Sequence, residues 1–180
     1  MKEFLKKVLL IILFAGLFYF FERYRFILAS EKHFHLCYSH PLLNFASVIF
    51  GPVIGGLAIT LGMFFLHINE GPVRWLLMGC ALLNCASIGF LMRKIDIKNG
   101  FFYRKDVIYF NFVQASSNYL IWWLIFPALH TLILHEPFRK YFEEGFIYAL
   151  CLSISSSIVA TMFLTLYSRA RFSEANFYQN

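Results

Sequence analysis

The stretch LLNFASVIFGPVIGGLAITLGMFFL, residues 42–66, decides the fold of this chain. It carries no charged residue, and a hydrocarbon core of about 30 Å is crossed by roughly 20 helical residues. Its middle holds Gly51-Pro52, and a proline disfavours the helical conformation in the residue before it while starting a new helix well. The stretch therefore predicts two short helices, at residues 35–50 and 52–68, instead of one long span.

The composition places the whole chain in a lipid environment. Of its 180 residues, 59% are hydrophobic, 20% are aromatic and only 14% are charged, whereas soluble domains average about 25% charged residues. This excludes a disordered chain and a disulfide scaffold, and it disfavours an ordinary soluble domain. We expect one transmembrane domain, residues 1–180, in the cell membrane, with Cys80, Cys85 and Cys151 as packing residues inside apolar runs.

Four further apolar runs, at residues 8–21, 75–92, 107–134 and 145–167, are each bracketed by charge. Together with the two short helices they predict an all-α membrane protein with six transmembrane helices. Six crossings place ten basic and four acidic residues on the side of both termini, against six and six on the other side. Five crossings would separate the basic segment 93–105 from the basic N-terminus. Because positive charge tends to remain inside, both termini are predicted to be cytoplasmic.

Small residues at helical spacing predict where these helices pack closely. Gly51, Gly55, Ala58 and Gly62 form one stripe, and the last span carries a second stripe of serine and threonine side chains. Such faces allow helices to approach one another within a bilayer. Most of these contacts are expected within the chain, and one stripe is available for a partner membrane subunit.

A polar stripe in the fifth span is the most informative feature for function. Asn111, Gln114, Asn118 and Trp122 lie at helical spacing and share one face, which must point into the protein because exposed amides are costly in lipid. One interpretation is the wall of a site for a small polar aromatic ligand, with amides as hydrogen-bonding groups and Trp122 as a stacking surface. The other is hydrogen bonding between helices, which we favour for Asn111 and Gln114. Both interpretations stay open for Asn118 and Trp122.

The fourth span offers two further candidates, Trp75 near its outer end and Asn84 in its middle. Trp75 either contributes to a binding site or belongs to the aromatic belt at the membrane interface. Asn84 shares a face with Cys80 and Ser87, which suits either ligand binding or packing between helices.

Histidines fall in the outer half of the predicted topology, and several crowd the external loop between the first two helices. Divalent transition metals bind such side chains, but the spacing matches no compact metal motif, so a metal permease component stays an alternative. The chain has no P-loop, no G-x-S-x-G and no H-E-x-x-H. We therefore expect neither an enzyme nor a cofactor, and any use of ATP must come from another chain. The residues of the loop cluster are Glu31, His33, His35, Cys37 and His40.

Four pieces of the sequence occur in an order that resembles a known family. They are F-G-P-V-I-G-G at 50–56, G-F-F-Y-R-K-D-V-I-Y-F-N-F-V-Q at 100–114, the set Asn118, Trp122 and Pro127, and H-E-P-F-R-K-Y-F-E-E-G at 135–145. In this order and spacing they resemble the substrate-binding S components of energy-coupling factor (ECF) transporters, in the riboflavin-type group. The resemblance covers about residues 45–170.

This resemblance implies a six-helix membrane protein with both termini inside, in agreement with the charge distribution. It implies capture of a riboflavin-like or pyrimidine-like vitamin or precursor at the outer face, under the loop between the first two helices. The implied partners are a transmembrane coupling subunit and two cytoplasmic ATPases that drive uptake, and nucleic acid is not among them. A sensor or assembly module, which would need no pocket, is the alternative. The candidate substrate-binding residues are Trp75, Asn84, Gln114, Asn118, Trp122 and His130, the last standing where family members often carry an acid.

Overall fold

The computed structural model describes residues 2–23, 39–67 and 72–177. Within these ranges the regular structure is entirely helical, with six helices and no strand. Two short 3₁₀ turns, Met92–Lys94 and Ile97–Asn99, lie between the fourth and fifth helices. The first four helices are α1 (Lys2–Arg23), α2 (Ser39–Phe50), α3 (Pro52–His67) and α4 (Pro72–Leu91).

The last two helices, α5 and α6, each contain a π-helical segment. The π-helical segment in α5 ends at Ile125, two residues before Pro127, whose ring and missing N–H are incompatible with a regular helical hydrogen bond to the turn before it. The predicted spans 107–134 and 145–167 are thus confirmed as helical throughout. α5 consists of Arg104–Asn118, the π-helical Tyr119–Ile125 and Phe126–Leu134, and α6 consists of Phe138–Ser155, the π-helical Ser156–Ala160 and Thr161–Phe177.

The predicted break at Gly51-Pro52 is confirmed. α2 ends at Phe50, Gly51 has a φ of 102°, which favours glycine, and α3 begins at Pro52. Ser47 and Gly55 lie on either side of the break and touch, since a Cβ added to Gly55 would lie 2.6 Å from the Cβ of Ser47. Residues eight apart in a straight helix are separated by about 12 Å, so the chain doubles back at this point.

Glycines set close contacts among the first four helices, as the stripe of small residues on α3 predicts. A Cβ added to Gly62 of α3 would lie 2.7 Å from the Phe18 ring of α1. Gly89 of α4 lies against Ser47 of α2, and a Cβ there would overlap the serine hydroxyl. A larger side chain at either glycine would therefore force two helices apart.

Much of the outer surface is apolar, as a lipid solvent requires. α1, α4, α5 and α6 are each long and apolar enough to cross a bilayer. α1 exposes large side chains such as Phe4, Leu9 and Ile12 along its length. α2 and α3 are shorter, with 12 and 16 residues. The all-helical membrane architecture is thus established, whereas six complete crossings and the side of the termini stay predictions.

Two clusters of buried apolar side chains fill the bundle. The larger cluster includes Phe18, Leu43 and Trp122, and the smaller one includes Met92 and Phe110 near the connection between α4 and α5. The cysteines in the described ranges are free and buried, which confirms the prediction that they act as small packing residues. They are Cys80, Cys85 and Cys151.

Candidate ligand-binding site

A cavity of about 460 Å³ lies within one end of the bundle. At this end, which the charge distribution predicts to face the exterior and which is called the outer end below, α1, α3 and α5 terminate and α2, α4 and α6 begin. All six helices contribute to the wall, and the volume lies within the range of about 300–1,000 Å³ that is usual for small-molecule sites. The lining residues are Phe18, Glu22, His40, Met63, Leu66, Arg74, Leu77, Trp122, Phe126, His130, Tyr141, Glu144, Gly145 and Tyr148.

Aromatic rings form much of this wall. Trp122, in the π-helical part of α5, meets Tyr148 of α6 edge to face, with 4.8 Å between ring centroids, and it contacts Phe126 at 5.8 Å. The His40 ring of α2 lies 6.2 Å from Trp122 and 6.1 Å from Tyr148, with planes close to perpendicular. Rings arranged in this way offer flat apolar surfaces against which a planar ligand can pack.

The wall also holds a buried carboxylate, that of Glu22 at the end of α1, which is 8% exposed. Ser39 Oγ donates a hydrogen bond to Glu22 Oε1 at 2.5 Å, and His40 Nδ1 lies 3.8 Å from the same oxygen. The Tyr148 hydroxyl lies 3.5 Å from His40 Nε2. A buried carboxylate needs such partners because its desolvation is costly. A continuous polar chain thus joins α1, α2 and α6 beside the aromatic rings.

His130 and Trp122 carry polar atoms that have no hydrogen-bond partner among the described residues. Neither ring nitrogen of His130 has one, nor does Trp122 Nε1, although both side chains are buried. The His130 imidazole stacks on Tyr141 with 3.7 Å between centroids and 22° between planes. Phe126 meets the same imidazole at 4.9 Å and 70°. Because an unpaired buried polar group costs about 1–3 kcal/mol, these atoms are suited to binding a ligand.

Gly145 allows α6 to approach the segment of α5 that carries Trp122. A Cβ at position 145 would overlap the Trp122 carbonyl oxygen. Because a backbone atom cannot swing aside as a flexible side chain can, any other residue there would displace one of the two helices. The position of the Trp122 ring in the cavity therefore depends on this glycine.

A second group of polar side chains lies deeper in the bundle and is hydrogen-bonded throughout. Asn84 Nδ2 donates to Asn118 Oδ1 at 2.7 Å, and Asn84 Oδ1 accepts from Ser117 at 2.8 Å. Asn118 Nδ2 donates to Gln114 Oε1 at 2.9 Å and to Ser153 Oγ at 3.3 Å. Gln114 Nε2 donates to the Ser153 carbonyl oxygen at 3.1 Å. These five residues, called the amide network below, join α4, α5 and α6.

Five of the six predicted site residues divide between these two regions. Trp122 and His130 line the cavity, whereas Asn84, Gln114 and Asn118 belong to the amide network and are not among the lining residues. For Gln114, hydrogen bonding between helices is the interpretation that we favoured from the sequence, and the observed bonds agree with it. The ligand-binding role of all five residues stays a prediction.

The sixth predicted residue, Trp75, lies at the surface of the bundle. Its side chain is 53% exposed and packs beside Phe64 with 6.1 Å between ring centroids. It is not among the cavity-lining residues, although its neighbour Arg74 is. Asn111, which we assigned from the sequence to contacts between helices, accepts a hydrogen bond from Thr161 at 3.4 Å. A role for Trp75 in binding also stays a prediction.

Sequence reasoning did not identify several polar residues of the cavity wall, namely Glu22, His40, Arg74, Tyr141 and Tyr148. The sequence analysis placed His40 in the external loop and gave Glu22 no binding role. The available signal was an acidic residue directly after the apolar run 8–21 and a histidine shortly before the apolar run 42–66. Their spacing along the chain does not reveal that they meet in space.

The loop that would carry the alternative metal site lies outside the described residues, together with Glu31, His33, His35 and Cys37. Within the described ranges no group of three or more histidine, cysteine, aspartate or glutamate side chains is placed to hold a metal ion. His40, the one described member of the predicted cluster, contributes to the cavity wall.

A comparison with protein families now decides what kind of protein carries this cavity. The family described as ECF-type riboflavin transporter, S component, matches residues 5–169. The chain belongs to this family. It is therefore a multi-pass protein of the cell membrane and the substrate-binding membrane component of an ECF importer. S components bind a vitamin-like ligand and work with a module of ATPases and a transmembrane subunit, and the family is one of transporter components, not of enzymes.

Two relatives of this S component are UPF0397 proteins. A UPF0397 protein of Enterococcus faecalis is 34% identical over 134 residues, which cover 74% of this chain and 73% of the relative. A UPF0397 protein of Staphylococcus aureus strain JH9 is 30% identical over 158 residues, covering 87% and 86% of the two chains. No solved structure shows significant similarity to the chain.

Proposed function

We propose that this S component captures a vitamin or a vitamin precursor, riboflavin-like or pyrimidine-like, in the outer cavity for ATP-driven uptake. The observation that carries the proposal is the composition of the cavity wall. Trp122 and Tyr148 give flat apolar surfaces, while Glu22 and His40 provide polar atoms beside them. Sites for small planar molecules combine these two features. Family membership supports the role, because S components bind the substrate of the importer.

The proposed orientation places the outer end of the bundle toward the exterior and both termini in the cytoplasm. The turn at Gly51-Pro52 supports an even number of crossings. Six crossings also leave the more basic connections on the inner side, as the positive-inside tendency requires. The cavity then opens toward the side from which a nutrient arrives.

The predicted residues take different places in this proposal. Trp122 and His130 contact the ligand directly. The amide network, in which Asn118 precedes Trp122 by one helical turn, forms the base of the site and holds α4, α5 and α6 together beneath it. Trp75 contributes at the edge of the cavity, next to Arg74.

The proposed partners are a transmembrane coupling subunit and two cytoplasmic ATPases. The chain itself contains no P-loop motif, so the energy for uptake has to come from ATPase subunits. We propose residues 1–180 as a single domain that docks onto this assembly. Co-purification of the ATPases with the tagged S component from its native membrane tests the partnership, and its absence would favour a separate sensor or assembly module.

A pair of adjacent tryptophans provides a matched test of the binding site. Trp122 lines the cavity, whereas Trp123 lies in an outward-facing groove with Phe142 and Phe146, and the indole N–H of each has no partner among the described residues. We expect calorimetry on the purified protein to detect binding of riboflavin or of the hydroxymethylpyrimidine precursor of thiamine. Trp122→Phe should weaken that binding about tenfold or more, because it removes a buried N–H donor and part of a stacking surface.

Trp123→Phe is the control and should leave the affinity unchanged. The proposed function is wrong if neither probe binds the unsubstituted protein. The proposed location is wrong if the two substitutions weaken binding equally.

A further inference from the structure

We propose that His130 sets the ligand selectivity of this S component by accepting a hydrogen bond from an N–H on the edge of a planar heteroaromatic ligand. The inference rests on the proposed capture function and deepens it. The ligand chemistry is an imide or amino N–H beside a carbonyl oxygen or a ring nitrogen. Riboflavin and aminopyrimidines share this chemistry.

The imidazole of His130 is held in one orientation by its neighbours. Tyr141 covers one face at 3.7 Å, and Phe126 approaches at 4.9 Å with its plane steeply inclined. The residue is fully buried and still belongs to the cavity wall. The rim of the ring, which carries both nitrogens, is therefore the part left for polar contact.

The hydrogen-bonding capacity of His130 is unused by the described part of the chain. Neither Nδ1 nor Nε2 has a partner there. His40, in the same wall, differs, because its two nitrogens lie 3.4 Å from Ser39 Oγ and 3.5 Å from the Tyr148 hydroxyl. A neutral imidazole has one donor and one acceptor nitrogen, and a hydrogen-bond partner fixes which is which. No described partner fixes this at His130, so the ligand selects the tautomer that accepts its N–H.

This arrangement explains selectivity as well as affinity. A site built to hydrogen-bond a ligand group strongly rejects an analogue that lacks the group, since the buried protein atom is then left unpaired. The loss is large where the atom is shielded from water, as it is at the buried His130. An analogue with a methyl group in place of the N–H proton would lose the hydrogen bond and also press against the ring.

The test compares three protein variants and three ligands by calorimetry. The ligands are riboflavin, a riboflavin derivative methylated on the imide nitrogen, and the hydroxymethylpyrimidine precursor of thiamine. His130→Phe keeps the stacking on Tyr141 and removes both nitrogens, so we expect Kd to rise roughly tenfold to hundredfold. His130→Gln restores an acceptor and should recover part of the affinity. His135→Asn, an exposed position at the end of α5 with a φ of 55°, is the matched control and should change nothing.

Selectivity is the decisive measurement, because a merely structural role of His130 would leave the preference between ligands unchanged. The unsubstituted protein should prefer riboflavin to its methylated derivative, and His130→Phe should bring their affinities together. If only riboflavin binds, the N–H that contacts His130 belongs to an imide. If only the pyrimidine binds, it belongs to an amino group. If His130→Phe does not fold, His130→Leu carries the same comparison.

Failure of this inference is distinguishable from failure of the proposed function. Binding to the unsubstituted protein that persists in His130→Phe, with the preference for riboflavin intact, overturns the role of His130 and leaves the capture function standing. Absence of binding by riboflavin and the pyrimidine alike overturns the capture function and the inference that rests on it.

Discussion

The amide network and the outer cavity place polar side chains on the same helix, yet the two regions treat them in opposite ways. Asn118 uses its amide oxygen and nitrogen in bonds to Asn84, Gln114 and Ser153. Trp122, one turn further along α5, has an indole N–H with no partner among the described residues. Both side chains are buried. A polar residue that points into a membrane bundle therefore indicates burial, and its hydrogen bonds decide whether it is available to a ligand.

This difference separates two kinds of energetic effect. Removing one member of a satisfied network leaves its partners unpaired, which lowers the stability of the folded protein. Removing an unpaired group in the cavity takes no hydrogen bond away from any other protein atom. The loss is therefore one of ligand affinity and not of stability. Measurements of stability and affinity on the same variants therefore distinguish the two regions.

The largest effect is expected from Gly145→Leu, at the contact between α6 and the segment of α5 that carries Trp122. The new side chain would overlap the Trp122 carbonyl oxygen, and overpacking of this kind costs about 3 kcal/mol. We expect a lower temperature of unfolding in detergent and loss of riboflavin binding. Gly79→Leu is the control, because a Cβ at Gly79 meets no atom within 4 Å. Unchanged binding in Gly145→Leu would show that the position of Trp122 does not matter.

Asn118→Leu should act mainly on stability. It leaves Asn84 Nδ2 and Gln114 Oε1 without their bonds to Asn118, at a cost of about 2 kcal/mol. Thermal unfolding measures the loss, and calorimetry should show little change in Kd for the protein that remains folded. Asn111→Leu is the control, since its hydrogen bond to Thr161 is long, at 3.4 Å. If Asn118→Leu instead abolishes binding at unchanged stability, the amides contact the ligand and the contrast between the regions fails.

The features that follow local rules were predictable from the sequence. The break at Gly51-Pro52 is one, because the conformational preferences of glycine and proline act on the backbone of these two residues alone. The inward face of Asn118 is another, because a regular helix places it and Gln114 on one side. These rules establish where a side chain points.

The composition of the cavity was not predictable in the same way. Glu22 and His40 lie on either side of residues 24–38, and their meeting depends on how α1 and α2 pack. Trp122 lies in the π-helical part of α5, where each turn contains more residues than the regular helix assumed in the sequence analysis. The angular relation of Trp122 to Asn118 therefore departs from the regular pattern. Whether a neighbour satisfies a buried donor is likewise a property of packing, not of spacing.

Ser39→Ala should weaken binding by about 1 kcal/mol, or roughly fivefold to tenfold in Kd. The substitution removes the hydrogen bond that Ser39 Oγ donates to Glu22 Oε1 and so loosens a polar group of the cavity wall. Thr60→Ala provides the control, because the Thr60 hydroxyl bonds only to the Gly56 carbonyl oxygen of its own helix among the described residues. Calorimetry with riboflavin measures both. Equal affinities for the two variants would show that the Ser39–Glu22 hydrogen bond does not contribute to binding.

The smallest effect is expected for the stability of ligand-free His130→Phe. Phenylalanine keeps the stacking on Tyr141 and eliminates two buried nitrogens that lack partners among the described residues. Replacing an unpaired polar group by an apolar group of similar shape is close to neutral or stabilising, so the free energy of unfolding should change by about 0.5 kcal/mol or less.

The comparison with Asn118→Leu makes this small change informative. His130 and Asn118 are both buried and lie on the same helix, so burial alone does not explain why one substitution should lower stability and the other should not. A ligand that binds only the folded state raises stability in proportion to the logarithm of its concentration over Kd. Riboflavin should therefore raise the unfolding temperature of the unsubstituted protein more than that of His130→Phe, although the two ligand-free proteins unfold alike. A large loss of stability in ligand-free His130→Phe would mean that the imidazole serves the fold, and the cavity would then resemble the amide network.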